Sequence, residues 1–291
     1  MKKLVTILAA LLVVLTLGAC SSNSSSAAPA SEATPAPEKA KIVVGCNPVP
    51  MVDILQKAGE VLNAQGYSLE IVEFTDYVLP NTSLEAGELD ANYFQTLGYL
   101  NDQNESNGLH LVAVGGVHIE PMGFYSESLK DLSELQDGAS IAVPNDADNE
   151  DRALHVLIQA GLLNDPGKDG YLDETDFNGN ATTNPHGYEI VPNEAANLPG
   201  TLPDVAGAVI NGNYALGAGL PSTHPAIFVE TFDEEATIRR TNFIVVKEGN
   251  ENNEAVQALV AAIQSDEVAK FIEDTYKGSV ITSFVSAADL K

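Results

Sequence analysis

The chain has 291 residues, 41 of them acidic and 14 basic, for a formal net charge of −27. Hydrophobic residues make up 44%, enough burial to offset ordering entropy, which excludes a disordered chain. The length suits one or two domains with a full core. Thinly scattered lysines and arginines exclude nucleic acid as a partner, because phosphate binding needs them clustered.

Lys2 and Lys3 precede an apolar run, Leu4 to Leu17, that ends in Leu17-Gly18-Ala19-Cys20. A positive start, a short apolar stretch and small residues before the cut describe a secretory signal peptide. A spanning helix needs about 20 apolar residues, more than this run supplies. The Leu-Gly-Ala-Cys run resembles a bacterial lipobox, which implies cleavage before Cys20 and lipid on its sulfur and new amino group. Residues 1–19 are then the signal, and residues 20–40, rich in Ser, Ala and Pro, a lipid-anchored tether. This places a domain on the extracytoplasmic face of the cell membrane. With Cys20 lipidated, Cys46 has no disulfide partner. It reads as a small buried residue at a strand end, with no His or cation beside it to activate a thiol.

Lys41 to Gly45 reads as a buried strand, Met51 to Leu62 as an amphipathic helix stopped by Gly66, and Tyr67 to Phe74 as a strand. A short helix at Leu84–Leu89, a strand at Asp90–Phe94, a helix at Gln95–Asn104 and a strand at His110–Val117 follow. Ala139–Val143 is a strand and Asp148–Leu163 a helix with acids in its first turn. Strands are expected at Tyr188–Val191, Val205–Ile210, Ala226–Glu230 and Asn242–Val246, and helices at Glu254–Ile263 and Glu267–Tyr276. Alternating strands and helices predict α/β architecture with largely parallel sheets. No Gly-rich phosphate loop follows the first strand. In Gly45-Cys46-Asn47-Pro48 the proline removes an amide donor a phosphate would need.

Several blocks carry a family likeness: Phe74-Thr75-Asp76-Tyr77-Val78-Leu79-Pro80-Asn81, Gly87 to Gln95, Val117-His118-Ile119-Glu120-Pro121-Met122-Gly123, Ile141 to Asp146 with Arg152, Ala208 to Ala215, and Asn242 to Val246. From about residue 41 to the end, the chain resembles the methionine-binding lipoproteins of bacterial ABC importers, the NlpA family. The resemblance implies a two-lobed periplasmic-binding-protein fold with a ligand cleft between the lobes. Two interlobe crossovers are expected near 123–126 and 228–232. Lobe 1 is then 41–124 plus 230–291, and lobe 2 is 125–229. The implied partners are methionine, an ABC permease and its ATPase. The same fold binding a methionine-containing dipeptide or another amino acid is the alternative. An acidic surface receptor or adhesin is the reading from a different class.

A free amino acid presents a carboxylate, an ammonium and a side chain. Arg152 suits the carboxylate, since arginine stays charged and offers two parallel hydrogen bonds; the residues alone leave open a surface pair with Glu150 or Asp151. Asn211 and Asn242 flank strand ends, where clefts of open α/β sheets lie, and both match ligand-contacting positions of the family. Asn145, Asn149 and Asn213 serve either the ligand or their own turns. Tyr77, Tyr93, Phe94 and His118 would form the side-chain pocket, against the alternative that some are core residues and His118 a structural histidine. Gln95 either bonds the ligand or caps a helix. Thr96 and Val49-Pro50-Met51 stand where many family members carry histidine, both near the expected cleft.

The five histidines lack zinc spacing and no Gly-x-Ser-x-Gly elbow is present, so no catalysis and no cofactor are expected. Asp165, Asp169, Gly170, Leu172, Asp173 and Asp176 partly follow a calcium loop, with Gly167 at its third position. The competing reading is an acidic, turn-rich surface loop. A tethered, highly charged chain is expected to be a monomer.

Overall fold

The computed structural model describes residues 39–290, so the expected signal peptide, Cys20 and nearly all of the tether lie outside the described residues. The strands are β1 Lys41–Cys46, β2 Ser68–Glu73, β3 Ala91–Thr96, β4 Leu111–Ile119, β5 Gly123–Tyr125, β6 Ser140–Pro144, β7 Glu189–Asn193, β8 Gly207–Ile210, β9 Phe228–Val229, β10 Asn242–Lys247 and β11 Ile281–Ser286. The helices are α1 Asp53–Ala64, α2 Leu79–Glu85, α3 Leu97–Asn107, α4 Ala147–Gln159, α5 Leu198–Thr201, α6 Gly212–Gly217, α7 Leu220–Thr223, α8 Glu234–Arg240, α9 Glu254–Ile263 and α10 Asp266–Tyr276.

Two sheets build two lobes. The first has the order β11-β4-β10-β3-β1-β2 and the second β7-β6-β8-β5-β9. Each sheet is covered on both faces, and residues alternate between the covers with the period of a strand. In the first lobe Ile42 and Val44 face the cluster of Ile54, Leu55, Leu259 and Ile263, with Ile244 and Val246 beside them. Phe243 and Val245 face the opposite cluster, with Leu84 and Leu100. In the second lobe Ile141 and Val143 pack with Phe124, Leu154 and Leu157, whereas Ala142 turns to Leu198 and Ile210.

The sheets are mixed rather than largely parallel. β1 runs parallel to β2 and β3, and β6 parallel to β7 and β8. β10 is antiparallel to both β3 and β4, β11 to β4, and β5 to β8 and β9. The cause is the double crossing. β4 leaves the first lobe at the interlobe edge and β10 re-enters beside it from that same edge, so the two must run in opposite directions.

The crossings differ from expectation. Gly123–Tyr125 hydrogen-bonds into the second sheet, so the first crossing is 120–122 and the expected lobe boundary at 124 falls inside a strand. The second occupies 230–241 and holds α8, longer than the five residues expected. The helix expected at Leu84–Leu89 starts earlier, as α2, because Asp76 Oδ1 accepts from the amides of Val78 and Leu79 at 2.7 and 2.8 Å. Only Phe228 and Val229 form the strand expected at 226–230, and β5, β11, α5, α6, α7 and α8 have no counterpart among the expected elements. Cys46 ends β1 fully buried, and burial pushes its thiol up to about 12, which makes it inert. In the acidic loop Lys168 Nζ sits 3.2 Å from Asp173 and 2.8 Å from Asp176, pairing with two of the carboxylates the calcium pattern would use.

Candidate functional site

Strand direction places the site. β3 and β4 end, and β10 begins, at the edge of the first sheet that meets the second lobe. β6 and β8 end at the facing edge. Ligands of open α/β sheets lie outside such strand ends. A small, partly open cavity lies there. Of the residues expected at the site, Tyr77, Phe94, Gln95, Asn149, Arg152, Asn211, Asn213 and Asn242 line it. Thr96, Tyr99, Glu120 and Gly212 line it as well. The lobes also touch across it: the Tyr77 hydroxyl donates to Asn213 Oδ1 at 2.6 Å, and the Tyr214 hydroxyl to the Thr75 carbonyl at 3.2 Å.

The second lobe contributes a polar wall. Asn149 and Arg152 lie one turn apart on α4, so they share its cavity face. Asp146 caps α4, its Oδ1 accepting from the Asn149 amide at 3.0 Å and from Asn149 Nδ2 at 2.9 Å. That amide is therefore not a free donor for a ligand anion. A carboxylate only accepts when ionised, which orients the Asn149 amide group. Its Oδ1 then accepts from Asn211 Nδ2 at 2.8 Å. Asn211 Oδ1 is left buried without a partner among the described residues. Buried acceptors are rarely unpaired without reason, and this one belongs to a residue on the cavity wall.

Arg152 is 3% exposed and carries less freedom than a two-bond grip requires. Its Nε lies 2.9 and 3.1 Å from the two Glu230 oxygens, and its Nη2 donates to Glu230 Oε2 at 2.6 Å and to the Glu120 carbonyl at 2.9 Å. Nη1 makes none of these bonds. Glu230, not Glu150 or Asp151, is thus its acidic partner. Burial opposes the Glu230 charge, but the Arg152 guanidinium outweighs it and holds the carboxyl below its ordinary value. The other two arginines of the chain join the same network. Arg239 Nη2 donates to the fully buried Asp148 at 2.7 Å, and Arg240 lies 3.5 Å from Asp148 and 3.8 Å from Glu230. Burial and the like charge of Arg152 lower Arg240 to about 10. The second crossing is thereby tied along α4.

The first lobe contributes an aromatic wall. Tyr77 and Phe94 ring centres are 5.8 Å apart, Tyr77 and Tyr99 5.7 Å, and Phe94 and Tyr99 6.0 Å. Burial pushes the Tyr77 and Tyr99 phenols well above their ordinary range, so both stay neutral donors. Thr96 caps α3, its Oγ1 accepting from the Tyr99 amide at 3.3 Å. Gln95 is not the cap. It is held by Asn81 and Asn92 at 2.6 to 2.9 Å.

Three expected residues are not on the wall. Tyr93 and His118 are fully buried behind it, hydrogen-bonded to each other through His118 Nδ1. Successive residues of a strand face opposite sides, so Tyr93 turns into the first lobe's core while Phe94 turns to the cavity. Asn145 lines an adjoining pocket with Asp146 and Tyr214, on the other side of Tyr77 and Tyr99. Met51 is buried in the core, in a segment, Pro48–Val52, that packs against α6 beside the cleft. Tyr99 and Glu120 were missed, although the helical register after Thr96 and the Glu120 in the quoted block both pointed to the cleft.

Residues 42–284 match the family described as NlpA lipoprotein. The D-methionine-binding lipoprotein MetQ of Escherichia coli strain K12 is 38% identical over 245 residues, 84% of this chain and 87% of that one. Among solved structures, a nutrient-binding protein from Burkholderia cenocepacia bound to methionine has a TM-score of 0.77 at 38% identity, covering 84% of this chain and 100% of that chain. The substrate-binding protein of a methionine transporter from Streptococcus pneumoniae gives 0.77 at 30% identity, over 84% and 95%. The match spans both lobes and every residue of the cavity wall, and on it the chain belongs to the NlpA lipoprotein family.

Proposed function

We propose that the protein captures methionine between its lobes and delivers it to an ABC permease driven by a separate ATPase. It acts as a monomer held on the extracytoplasmic face of the membrane by lipid on Cys20, and it performs no catalysis. The observation that carries this reading is the two-sided wall: Arg152 and the unpaired Asn211 Oδ1 face a Tyr77, Phe94 and Tyr99 surface across one cavity. The polar side matches the zwitterion of an amino acid. The aromatic side matches a thioether, whose polarizable sulfur gains about 0.3–1.5 kcal/mol per aromatic contact. The names of the relatives support methionine over a dipeptide. Lobe closure follows from the higher affinity of the closed form for ligand.

The test is calorimetric titration of the purified protein, after denaturation and refolding to remove carried-over ligand, with methionine and a panel of other amino acids. One methionine bound per chain, more tightly than leucine or glutamate, is the expected result. No heat with any amino acid contradicts the reading.

A further inference from the structure

Away from the ligand cavity, one side chain of the first lobe is held by the second. Asp148 and Asp151 lie three residues apart on α4 and share a face of that helix. The 165–176 loop is docked beside them: Asp151 Oδ1 accepts from the Leu172 amide at 3.0 Å, and Glu150 Oε1 from the Glu174 amide at 2.9 Å. α8 belongs to the other side. Its Ile238 packs in the first lobe's cluster with Leu100 and Phe243, and the Thr241 and Ser283 hydroxyls hydrogen-bond at 2.7 Å. Arg239 is therefore carried by the first lobe, yet its partners are in the second. Its Nη2 donates to Asp148 Oδ1 at 2.7 Å and lies 4.0 Å from Asp151, and its guanidinium stands 5.5 Å from the centre of the Tyr171 ring on the loop. Asp148 is 0% exposed. First-lobe residues cover it, since its carboxylate also abuts Gly98 of α3. Its second oxygen and Arg240 Nη1 lie 3.5 Å apart, and neither has a hydrogen-bond partner among the described residues. The bond from Arg239 is thus the one hydrogen bond to the Asp148 carboxylate among the described residues.

We infer that Arg239 is a latch between the lobes, received by Asp148, Asp151 and Tyr171, and that it sets how readily the closed form is reached. When the lobes part, Asp148 and Arg239 both return to water. When they meet, the carboxylate loses its water, and a buried charge is tolerated only when it is paired and hydrogen-bonded. Arg239 supplies that pairing from across the gap. The contact contributes to the balance of open and closed forms, and not to the stability of either lobe. Apparent affinity follows the population of the competent form, so the latch scales the binding of every ligand alike without touching one. The 165–176 loop gains a role on this account: it holds Tyr171 over the arginine. The inference rests on the reading of ligand capture by lobe closure and adds to it the contact that regulates closure.

The experiment compares the wild type with Arg239→Gln, Asp148→Asn, the double variant and Tyr171→Leu. It measures affinity and release rate for methionine and for norleucine, its sulfur-free isostere, and the melting temperature of the ligand-free protein. Each of the two charge variants is expected to bind both ligands about fivefold or more weakly and to release them faster, because a hydrogen bond between charged groups is lost. The ratio of the two affinities and the ligand-free melting temperature are expected to match the wild type. The double variant is expected to lose no more than the weaker-binding single one, since both remove the same contact. Tyr171→Leu is expected to act in the same direction by a smaller factor. Unchanged affinity in Arg239→Gln and Asp148→Asn, or a loss confined to one ligand, overturns the latch and leaves the methionine reading intact. So does a fall in the ligand-free melting temperature with no change in release rate, which makes the pair a prop of the fold. A wild type that binds neither ligand contradicts the methionine reading, and with it the closure that the latch serves.

Discussion

The two walls of the cleft differ in kind. The first lobe offers rings that touch one another and carry neutral hydroxyls. The second offers amides and one guanidinium, each already held by a neighbour that decides which of its atoms is free. The rings select by shape and polarizability, which tolerates adjustment. The amides and the arginine select by the direction of donors and acceptors, which does not. Neither wall surrounds an amino acid alone, so affinity depends on the lobes meeting.

Breaking the polar wall has the largest expected effect. Arg152→Ala removes the cation and leaves Glu230 buried with Arg240 as its one cationic neighbour among the described residues. Stability falls by about 3–5 kcal/mol, and calorimetry is expected to show methionine affinity reduced more than about hundredfold. Arg152→Lys keeps the charge but not the fork, so it recovers stability better than affinity. Melting curves and titrations on the pair separate the two roles.

Breaking the aromatic wall costs less. Phe94→Ala is expected to lower methionine affinity by about tenfold and to flatten the preference for methionine over small amino acids, as competition titrations would record. An unchanged preference would place side-chain selection elsewhere.

Holding the walls apart sharpens the comparison without touching a ligand contact. Gly98, at the start of α3, abuts Asp148 of α4 so closely that a Cβ would overlap its carboxylate. Gly98→Ala is expected to make the ligand-bound form less compact in small-angle scattering and to weaken binding of all ligands by a common factor.

The smallest effect concerns pH. Burial raises Asp146 to about 6 against an ordinary 3.8, despite its cap bonds to Asn149. A raised carboxyl favours the folded state when protonated. Its contribution is therefore full below about pH 4 and is lost as pH rises through about 6. Asp146→Asn keeps the capping oxygen and removes the proton. Melting temperatures between pH 4 and 6 are expected to slope less in the variant, in the direction of relative gain toward pH 6.

Much of the cleft was legible in the sequence because strand ends line clefts, and Asn211 and Asn242 flank strand ends. Arg152 was legible as a scarce cation three residues after Asn149 on one helix face. Its partner was not, because Glu230 lies 78 residues away across a crossing and no local pattern carries that pairing. Tyr93 and His118 were misplaced for a reason the sequence did hold: Tyr93 and Phe94 are consecutive in a strand, so only one can face the cavity. The crossings were misjudged because β5 is only three residues long, too short to show a period. The mixed sheets follow from a return strand that local periodicity cannot orient.

The most direct measurement is anomalous diffraction from crystals grown with selenomethionine as the ligand. The account predicts one selenium peak among the Tyr77, Phe94 and Tyr99 rings, with the carboxylate on Arg152. A selenium against Arg152 and the polar wall, or none in the cleft, would contradict the division of labour between the lobes.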